Sequence, residues 1–261
     1  MIKKYLKIWW ILTSNSTQTA FQSRFGVIVF LIGKILRVVF FLFFLFILIS
    51  KTNSLNNYSL WQVIFFYATF NLVDSIPQFF LREVYRFRFY VITGKLDYLF
   101  LKPFSALFRA LLGGSDVLDL SIIALALALV IYSAFRIDGV SILNAVIYIL
   151  LLLNAIGIAL AFHIGVLALG ILTTEVDNSI MLYRDMTQMG RLPVDIYKEP
   201  LHALLTFAIP VGIMMTFPAK AMMGLLSFSN IIVATTIGTL FFLLSIKLWK
   251  YALKKYASAS S

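Results

Sequence analysis

The chain has 261 residues, of which 61% are hydrophobic, and its mean hydropathy is +0.95. A soluble domain is only about half apolar, and a chain of this length cannot bury such an excess in its own core, so much of its surface must face lipid. The absence of cysteine excludes disulfides, thiolate metal sites and cysteine nucleophiles. The net charge of +11 comes from basic residues clustered beside apolar segments, which indicates anionic lipid headgroups as partners and not nucleic acid.

Residues 1–26 hold four basic residues and no acidic one. The first seven residues resemble the positive end of a signal peptide, but the apolar run Ile8–Leu12 is too short for its hydrophobic core. We predict an amphipathic helix at the membrane surface with Trp9 and Trp10 at headgroup depth, and a disordered leader is the alternative.

Five apolar segments are long enough to cross a bilayer as helices. Their unbroken runs differ from the alternating strands of an outer-membrane barrel. They lie at Ile35–Ile49, Leu60–Leu81, Val117–Phe135, Ile142–Leu172 and Asn230–Trp249.

The segment between the fourth and the last of these permits two interpretations, and each gives six crossings. In one, residues 173–200 form a cytoplasmic loop and residues 201–217 form the fifth span. In the other, residues 174–190 form a polar fifth span that faces protein, and a re-entrant hairpin over residues 200–222 follows. Broken backbone at membrane depth requires protein or a water-filled cavity beside it.

Basic residues concentrate in residues 1–26, in residues 81–110 and in the C-terminal tail. The positive-inside rule therefore predicts that both termini and the 81–110 loop are cytoplasmic. With no linker and no internal repeat, the sequence predicts one all-α membrane domain over residues 1–261.

No sequence motif for catalysis is present. Gly94-Lys95 is the nearest match to a phosphate-binding loop, but it lacks the upstream glycine and the downstream hydroxyl residue. His163 and His202 are too few and too far apart to indicate a zinc site. We therefore expect no catalytic, cofactor-binding or metal-binding residue.

A few polar residues fall within or at the ends of the predicted spans. Asp74 is a candidate for a functional carboxylate or for a partner of a neighbouring helix. Asp116 and Asp119 share a helix face and could bind a cation or relay protons, although capping or pairing with basic loop residues is the expected role. For His163 we expect a hydrogen bond between helices and not a ligand role.

The 81–110 loop interleaves charged and aromatic residues, with Gly94 and Pro103 as breaks. From the residues alone, two interpretations stand. It is either an amphipathic helix on an anionic leaflet or a rigid cytoplasmic helix that docks into a groove of a partner.

The run Thr93–Pro103, TGKLDYLFLKP, resembles the Gly-x-Leu/Phe-Asp-x-Leu-Leu-x-x-Pro stretch of bacterial type-2 ATP-binding cassette (ABC) permeases, in the branch of ABC-2 family transporter proteins of similar length. A second similarity covers Arg191–Tyr197, Leu204–Pro210 and Phe217–Ala219. The chain departs from the family in Lys102, where arginine is more frequent, and in an unusually acidic 173–200 segment.

The resemblance implies six transmembrane helices after an interfacial helix, in a multi-pass protein of the bacterial inner membrane. It implies a transporter, by analogy an exporter, with a second permease subunit and two copies of a separate ATPase, which uses the ATP and Mg²⁺. It also favours the re-entrant interpretation, with residues 193–222 on the outer side and with Pro193, Pro200, Pro210 and Pro218 in that region. The residues expected to couple to the ATPase are Arg86, Arg88, Gly94, Lys95, Asp97, Tyr98, Phe100, Lys102 and Pro103.

The alternative function is a transporter or channel driven by an ion gradient. It would use Asp74, Asp116 or Asp119 as ion or proton sites. An intramembrane enzyme is disfavoured because no nucleophile–base or metal constellation is present in the sequence.

Overall fold

The computed structural model describes residues 2–52, 54–173 and 176–256, and most of these residues are helical. The helices, in chain order, are α1 (Ile2–Ala20), α2 (Arg24–Thr52), α3 (Leu60–Phe80), α4 (Phe87–Ile92), α5 (Lys95–Phe100), α6 (Ala106–Leu111), α7 (Leu120–Ala134), α8 (Ile142–Thr173), α9 (Val176–Gln188), α10 (Leu201–Ala203), α11 (Phe217–Met222) and α12 (Phe228–Lys255). Short 3₁₀ turns precede α4 and α7 and follow α9, and two π-helical turns lie between α10 and α11.

The five spans predicted from hydropathy are all present as helices. They are α2, α3, α7 with its preceding turn Val117–Asp119, α8 and α12. Helix α3 is the central one, because most of its residues are buried, whereas α2 and α12 leave most of their apolar surface exposed. An exposed apolar helix surface of this extent requires lipid around it. The predicted fold class, an all-α membrane protein, is confirmed.

Several helices end close together at one end of the bundle. Lys4 of α1 donates a hydrogen bond to the carbonyl oxygen of Pro103 over 2.6 Å. The ring of Trp249, near the end of α12, lies 6.3 Å from that of Phe87. We call this the basic end, because the three basic patches of the sequence lie there. The opposite end contains the α2–α3, α7–α8 and α11–α12 connections, and there Arg136, after α7, lies over the ring of Trp61 at the start of α3.

Helix α9 makes the fifth crossing although it is polar. At its start, Asp177 pairs with Arg88 of the basic end over 3.0 Å. Shortly after its end, the carboxylate of Asp195 accepts a hydrogen bond from Tyr58 of the opposite end over 2.8 Å. The 13 residues of α9 span about 20 Å at 1.5 Å per residue, and the turn Met189–Arg191 extends this path. The chain therefore passes through the bundle between these residues, which excludes the interpretation of residues 173–200 as a loop at the basic end.

The following segment enters the bundle and returns to the same end. Two helical limbs, Leu201–Ala208 and Gly212–Met222, are bent by 76° relative to each other at a break that contains Pro210. Near the end of the second limb, Lys220 reaches back to Asp195 over 3.0 Å, and the next turn, at Gly224, contacts Asn144 at the start of α8. The limbs thus form a re-entrant hairpin and not a crossing.

Broken backbone at membrane depth requires protein or a water-filled cavity beside it. The second limb has protein around it, because residues 211–219 are all buried. It packs on α8 and α3, and the hydroxyl of Thr216 accepts a hydrogen bond from the backbone N–H of Val194 over 3.0 Å. The predicted prolines lie along this region: buried Pro193 precedes the turn Val194–Ile196, exposed Pro200 precedes α10, and Pro218 lies in the first turn of α11.

Asp195 holds the two ends of the re-entrant hairpin together. Its carboxylate accepts hydrogen bonds from Tyr58 and Lys220, and the ring of His202 lies 3.8 Å away. Burial and, to a lesser extent, the hydrogen bond to Asp195 raise the pKa of Tyr58, so the phenol stays protonated and donates. This contact ties the α2–α3 connection to the re-entrant hairpin.

The topology makes a prediction for cysteine labelling, which the lack of native cysteine makes direct. The side chains of Asp138, Lys198 and Lys95 are exposed, the first two at the opposite end and the third at the basic end. We expect Asp138→Cys and Lys198→Cys to react with a membrane-impermeant maleimide from one side of the membrane, and Lys95→Cys only from the other. Labelling of Lys198→Cys from the same side as Lys95→Cys would show that α9 does not cross.

Candidate functional site

Residues 81–112 form a chain of short helices at the basic end and not the single amphipathic helix that the sequence suggests. A 3₁₀ turn over Arg82–Arg86 leads into α4, and α5 and α6 follow. Gly94 ends α4 with φ of 68°, the left-handed conformation that glycine adopts at little cost. Pro103 follows the end of α5, as expected from its inability to continue a helix.

The outer surface of this segment combines cations with exposed apolar side chains. Phe89, Ile92, Tyr98 and Leu101 are all about half exposed or more, and Tyr98 reaches 67%. The predicted coupling residues with exposed side chains are Arg86, Arg88, Lys95, Tyr98, Phe100, Lys102 and Pro103. We call the exposed side chains of residues 86–103 the outer surface of the 81–112 segment. Large apolar side chains with charged neighbours are typical of protein contact surfaces.

Several of the predicted coupling residues have contacts inside the chain, and Asp97 and Arg88 are two of them. Asp97 is half-buried in the first turn of α5 and is not fully presented to a partner. Arg88 pairs with Asp177 of α9, and both side chains are about half exposed. An exposed pair of this kind contributes about 0–1 kcal/mol, so it links the two helices only weakly.

A buried ion pair lies beneath the outer surface. The carboxylate of Glu83, 2% exposed, accepts hydrogen bonds from the guanidinium of Arg109 over 2.8 Å and from the hydroxyl of Tyr90 over 2.5 Å. Burial lowers the pKa of Arg109, but the charge and the hydrogen bonds of Glu83 outweigh it, and the net shift of that pKa is upward. Arg109 therefore stays charged, and its contact with Glu83 joins the 3₁₀ turn, α4 and α6.

Gly113 is required for this packing. A Cβ at this position would lie 1.8 Å from Arg109 Nη1 and 2.3 Å from Glu83 Cγ, so neither ion could keep its place. The sequence does not single out Glu83, and its only sign is an acidic residue within a strongly basic segment.

Helix α1 lies against the same segment. The hydroxyl of Tyr5 accepts a hydrogen bond from the backbone N–H of Ser105, and its ring packs edge-on against Phe108 at 4.7 Å. Trp9 donates to the hydroxyl of Ser115 over 2.9 Å. Trp9 therefore has a protein partner, whereas Trp10 is 68% exposed, and its placement among headgroups stays a prediction.

The carboxylates near the ends of α3 and α7 are engaged by partners. Asp119 forms an ion pair with Lys34 of α2. Asp116 caps the turn before α7 and lies 3.6 Å from Arg82. Asp74 accepts a hydrogen bond from Gln78 of its own helix over 2.8 Å. The capping role predicted for Asp116 is observed, and the Lys34 partner of Asp119 was not predicted.

His163 lies buried in α8, where its Nδ1 is 2.7 Å from the carbonyl oxygen of Ala159 in the same helix. Its ring packs edge-on against Tyr183 of α9. The contact between helices is therefore aromatic packing and not the predicted hydrogen bond. Within residues 2–52, 54–173 and 176–256, no group of histidine and acidic side chains is arranged to hold a metal ion.

These features define a multi-pass helical membrane protein with a re-entrant hairpin and, at its basic end, the folded 81–112 segment. The family model of the ABC-2 family transporter proteins matches residues 35–260. The chain therefore belongs to this family, as the two sequence blocks indicate, and it is the membrane component of an ABC transporter. A search of curated proteins and a search of solved structures each gave no significant match.

The buried pair predicts the response of the basic end to substitution. Glu83→Gln leaves Arg109 charged and unpaired, which costs about 3–5 kcal/mol for a buried pair. We expect the variant to lower the melting temperature of the detergent-solubilised chain and to accelerate tryptic cleavage after Arg88 and Lys95.

The control is Arg88→Gln, which breaks the exposed pair with Asp177 and should change the unfolding free energy by less than about 1 kcal/mol. Combining Glu83→Gln with Arg109→Gln should recover part of the lost stability, because no ion is left buried alone. Equal effects of Glu83→Gln and Arg88→Gln would contradict the assigned role of the buried pair.

Proposed function

We propose that this chain is the permease subunit of a bacterial ABC exporter, and that its 81–112 segment couples it to a separate ATPase subunit. Membership of the ABC-2 family supports a permease role. The sequence contains no phosphate-binding loop, so the ATP and Mg²⁺ are used by the partner.

The observation that carries this proposal is the outer surface of the 81–112 segment. It presents exposed aromatic and aliphatic side chains among cations, and the buried Glu83–Arg109 pair fixes it from below. A surface that is to transmit force must not deform when it is pushed. The buried ion pair and the contacts of α1 supply that rigidity.

Movement of the 81–112 segment would be transmitted to several membrane-spanning helices together. Phe87 of α4 contacts Trp249 of α12, and a Cβ at Gly170 of α8 would lie 3.4 Å from Phe87 and 2.3 Å from Val176 of α9. The ends of α8, α9 and α12 thus meet at one aromatic side chain. Closure of the ATPase would push on α4 and tilt these helices as a unit between inward-open and outward-open states.

The proposal includes an assembly that family membership and the exposed apolar surfaces support. Two permease subunits, identical or homologous, and two ATPase copies form one transporter, and lipid and the second permease cover the exposed apolar faces. The basic end faces the cytoplasm, in accordance with the positive-inside rule, so both termini are cytoplasmic in the inner membrane. The re-entrant hairpin then opens to the outer side.

The ion-gradient alternative receives less support from the same contacts. It needs a carboxylate that exchanges ions or protons, yet Asp119 is held by Lys34, and Asp116 acts as a cap beside Arg82. Asp74 is hydrogen-bonded to Gln78. We assign these residues to holding helices together.

Co-purification tests the coupling proposal. The chain, expressed with the genes of its own organism, should retain in mild detergent a polypeptide that carries a Walker-type loop and hydrolyses ATP. Lys95→Glu combined with Lys102→Glu should reduce the amount of retained ATPase about 10-fold or more. A partner surface that complements these two lysines is negative, so the introduced carboxylates would repel it.

The matched control is Lys51→Glu combined with Lys198→Glu, which makes the same charge change on exposed side chains of the opposite end. This variant should retain the ATPase like the unmodified chain. Full retention in both variants would refute the docking surface, and transport that is abolished by an uncoupler but insensitive to vanadate would refute the ABC mechanism.

A further inference from the structure

A cavity of about 740 Å³ opens sideways between α9 and α12. Its floor consists of Phe162 and Gly165 of α8 and Met214 of the re-entrant hairpin, and its sides include Leu182 of α9 and Phe241 of α12. The volume is in the range of about 300–1,000 Å³ that is usual for small-molecule sites. Leu182 lines the cavity, is 57% exposed and lies in the middle of the crossing helix α9, so an opening at this side chain would face lipid.

The walls offer almost no hydrogen bonds to a ligand. The hydroxyl of Ser245 donates to the carbonyl oxygen of Phe242 over 2.8 Å. The hydroxyl of Thr187 donates to the carbonyl oxygen of Arg184 over 2.9 Å. Tyr183, Tyr251 and Ser179 also line the cavity, but the rest of the lining is largely apolar, so the interior is suited to a hydrocarbon chain, which gains free energy from apolar contact alone.

A cation lies at the end of the cavity nearest the basic end. Lys247 lines the cavity, is exposed, and pairs with no acidic side chain in the described part of the chain. Lys250 and Lys254 follow at spacings of three and four residues, so the three cations share one face of α12. The carboxylate of Asp177, at the start of α9, pairs with Arg88 over 3.0 Å. Among the described residues, the cavity therefore combines an apolar interior with a positive rim.

We propose that this cavity binds an acyl chain of an anionic membrane lipid from the leaflet at the basic end, with the lipid headgroup on Lys247. The apolar walls hold the chain, the exposed mouth admits it laterally, and Lys247 selects a negative headgroup. The site does not depend on coupling to an ATPase, so its test is separate from that of the proposed function.

Two glycines of α8 allow a matched test of occupancy. A Cβ at Gly165 or at Gly157 meets no atom within 4 Å, so either position accepts a larger side chain, but only Gly165 lines the cavity. Gly165→Phe fills the cavity, and Gly157→Phe makes the same change eight residues earlier in the same helix. Leu182→Trp blocks the exposed mouth and serves as a second variant if Gly165→Phe reduces folding.

The experiment uses the full chain in nanodiscs of phosphatidylcholine with a phosphatidylglycerol probe that carries a diazirine near the end of one acyl chain. After irradiation, mass spectrometry should find the label on peptides containing Leu182, Met214 or Phe241. Labelling should fall at least about 5-fold in Gly165→Phe and in Leu182→Trp and be unchanged in Gly157→Phe. Equal labelling in all four proteins, or label confined to other peptides, would overturn the proposal.

The headgroup assignment has its own pair of variants. Lys247→Gln should reduce the preference for the phosphatidylglycerol probe over the matching phosphatidylcholine probe about 5-fold, and Lys250→Gln, outside the cavity lining, should reduce it much less. Equal labelling of the unmodified chain by the two probes would overturn the assignment of an anionic headgroup. A disulfide between two Leu182→Cys chains together with no labelling would show that a second copy covers the cavity instead.

Discussion

The buried ion pair of Glu83 and Arg109 is the contact on which the basic end of this protein depends. Two opposite charges out of water are stable only when each keeps its partner and its hydrogen bonds. Here Tyr90 supplies a further hydrogen bond and Gly113 leaves the necessary space. The pair connects the 3₁₀ turn before α4 to α6. It therefore holds together a series of very short helices, none of which would be stable alone.

A related constraint governs the part of the chain at membrane depth. Polar groups there must find partners inside the protein, since lipid offers none. The pairing of Lys34 with Asp119 and the burial of residues 211–219 both satisfy this requirement. Polar α9 is accommodated in the same way, with its Tyr183 face packed on His163 and Phe162 of α8. The interior contacts of α8 thus make the fifth crossing possible.

The 81–112 segment and the membrane-spanning helices meet at Phe87. This side chain contacts α12 and lies close to the junction of α8 and α9. The lateral cavity lies between the same helices, and its lining residue Lys247 lies two residues before Trp249 in α12. A lipid in the cavity and a force on the 81–112 segment would therefore act on the same pair of helices, α9 and α12.

The amino-acid sequence by itself determined the five apolar spans, the basic end and the family, because each rests on local composition or on a short contiguous motif. Transfer of a residue from water to lipid depends on its own side chain, so hydropathy finds α2, α3, α7, α8 and α12. Only the tertiary structure decided that polar α9 crosses, that Pro210 lies at the turn of a re-entrant hairpin, and that Glu83 is buried. Each of these depends on partners distant in the chain, such as Tyr58 for Asp195 and Arg109 for Glu83, and a charged residue has the same hydropathy whether it faces water or a buried counter-ion.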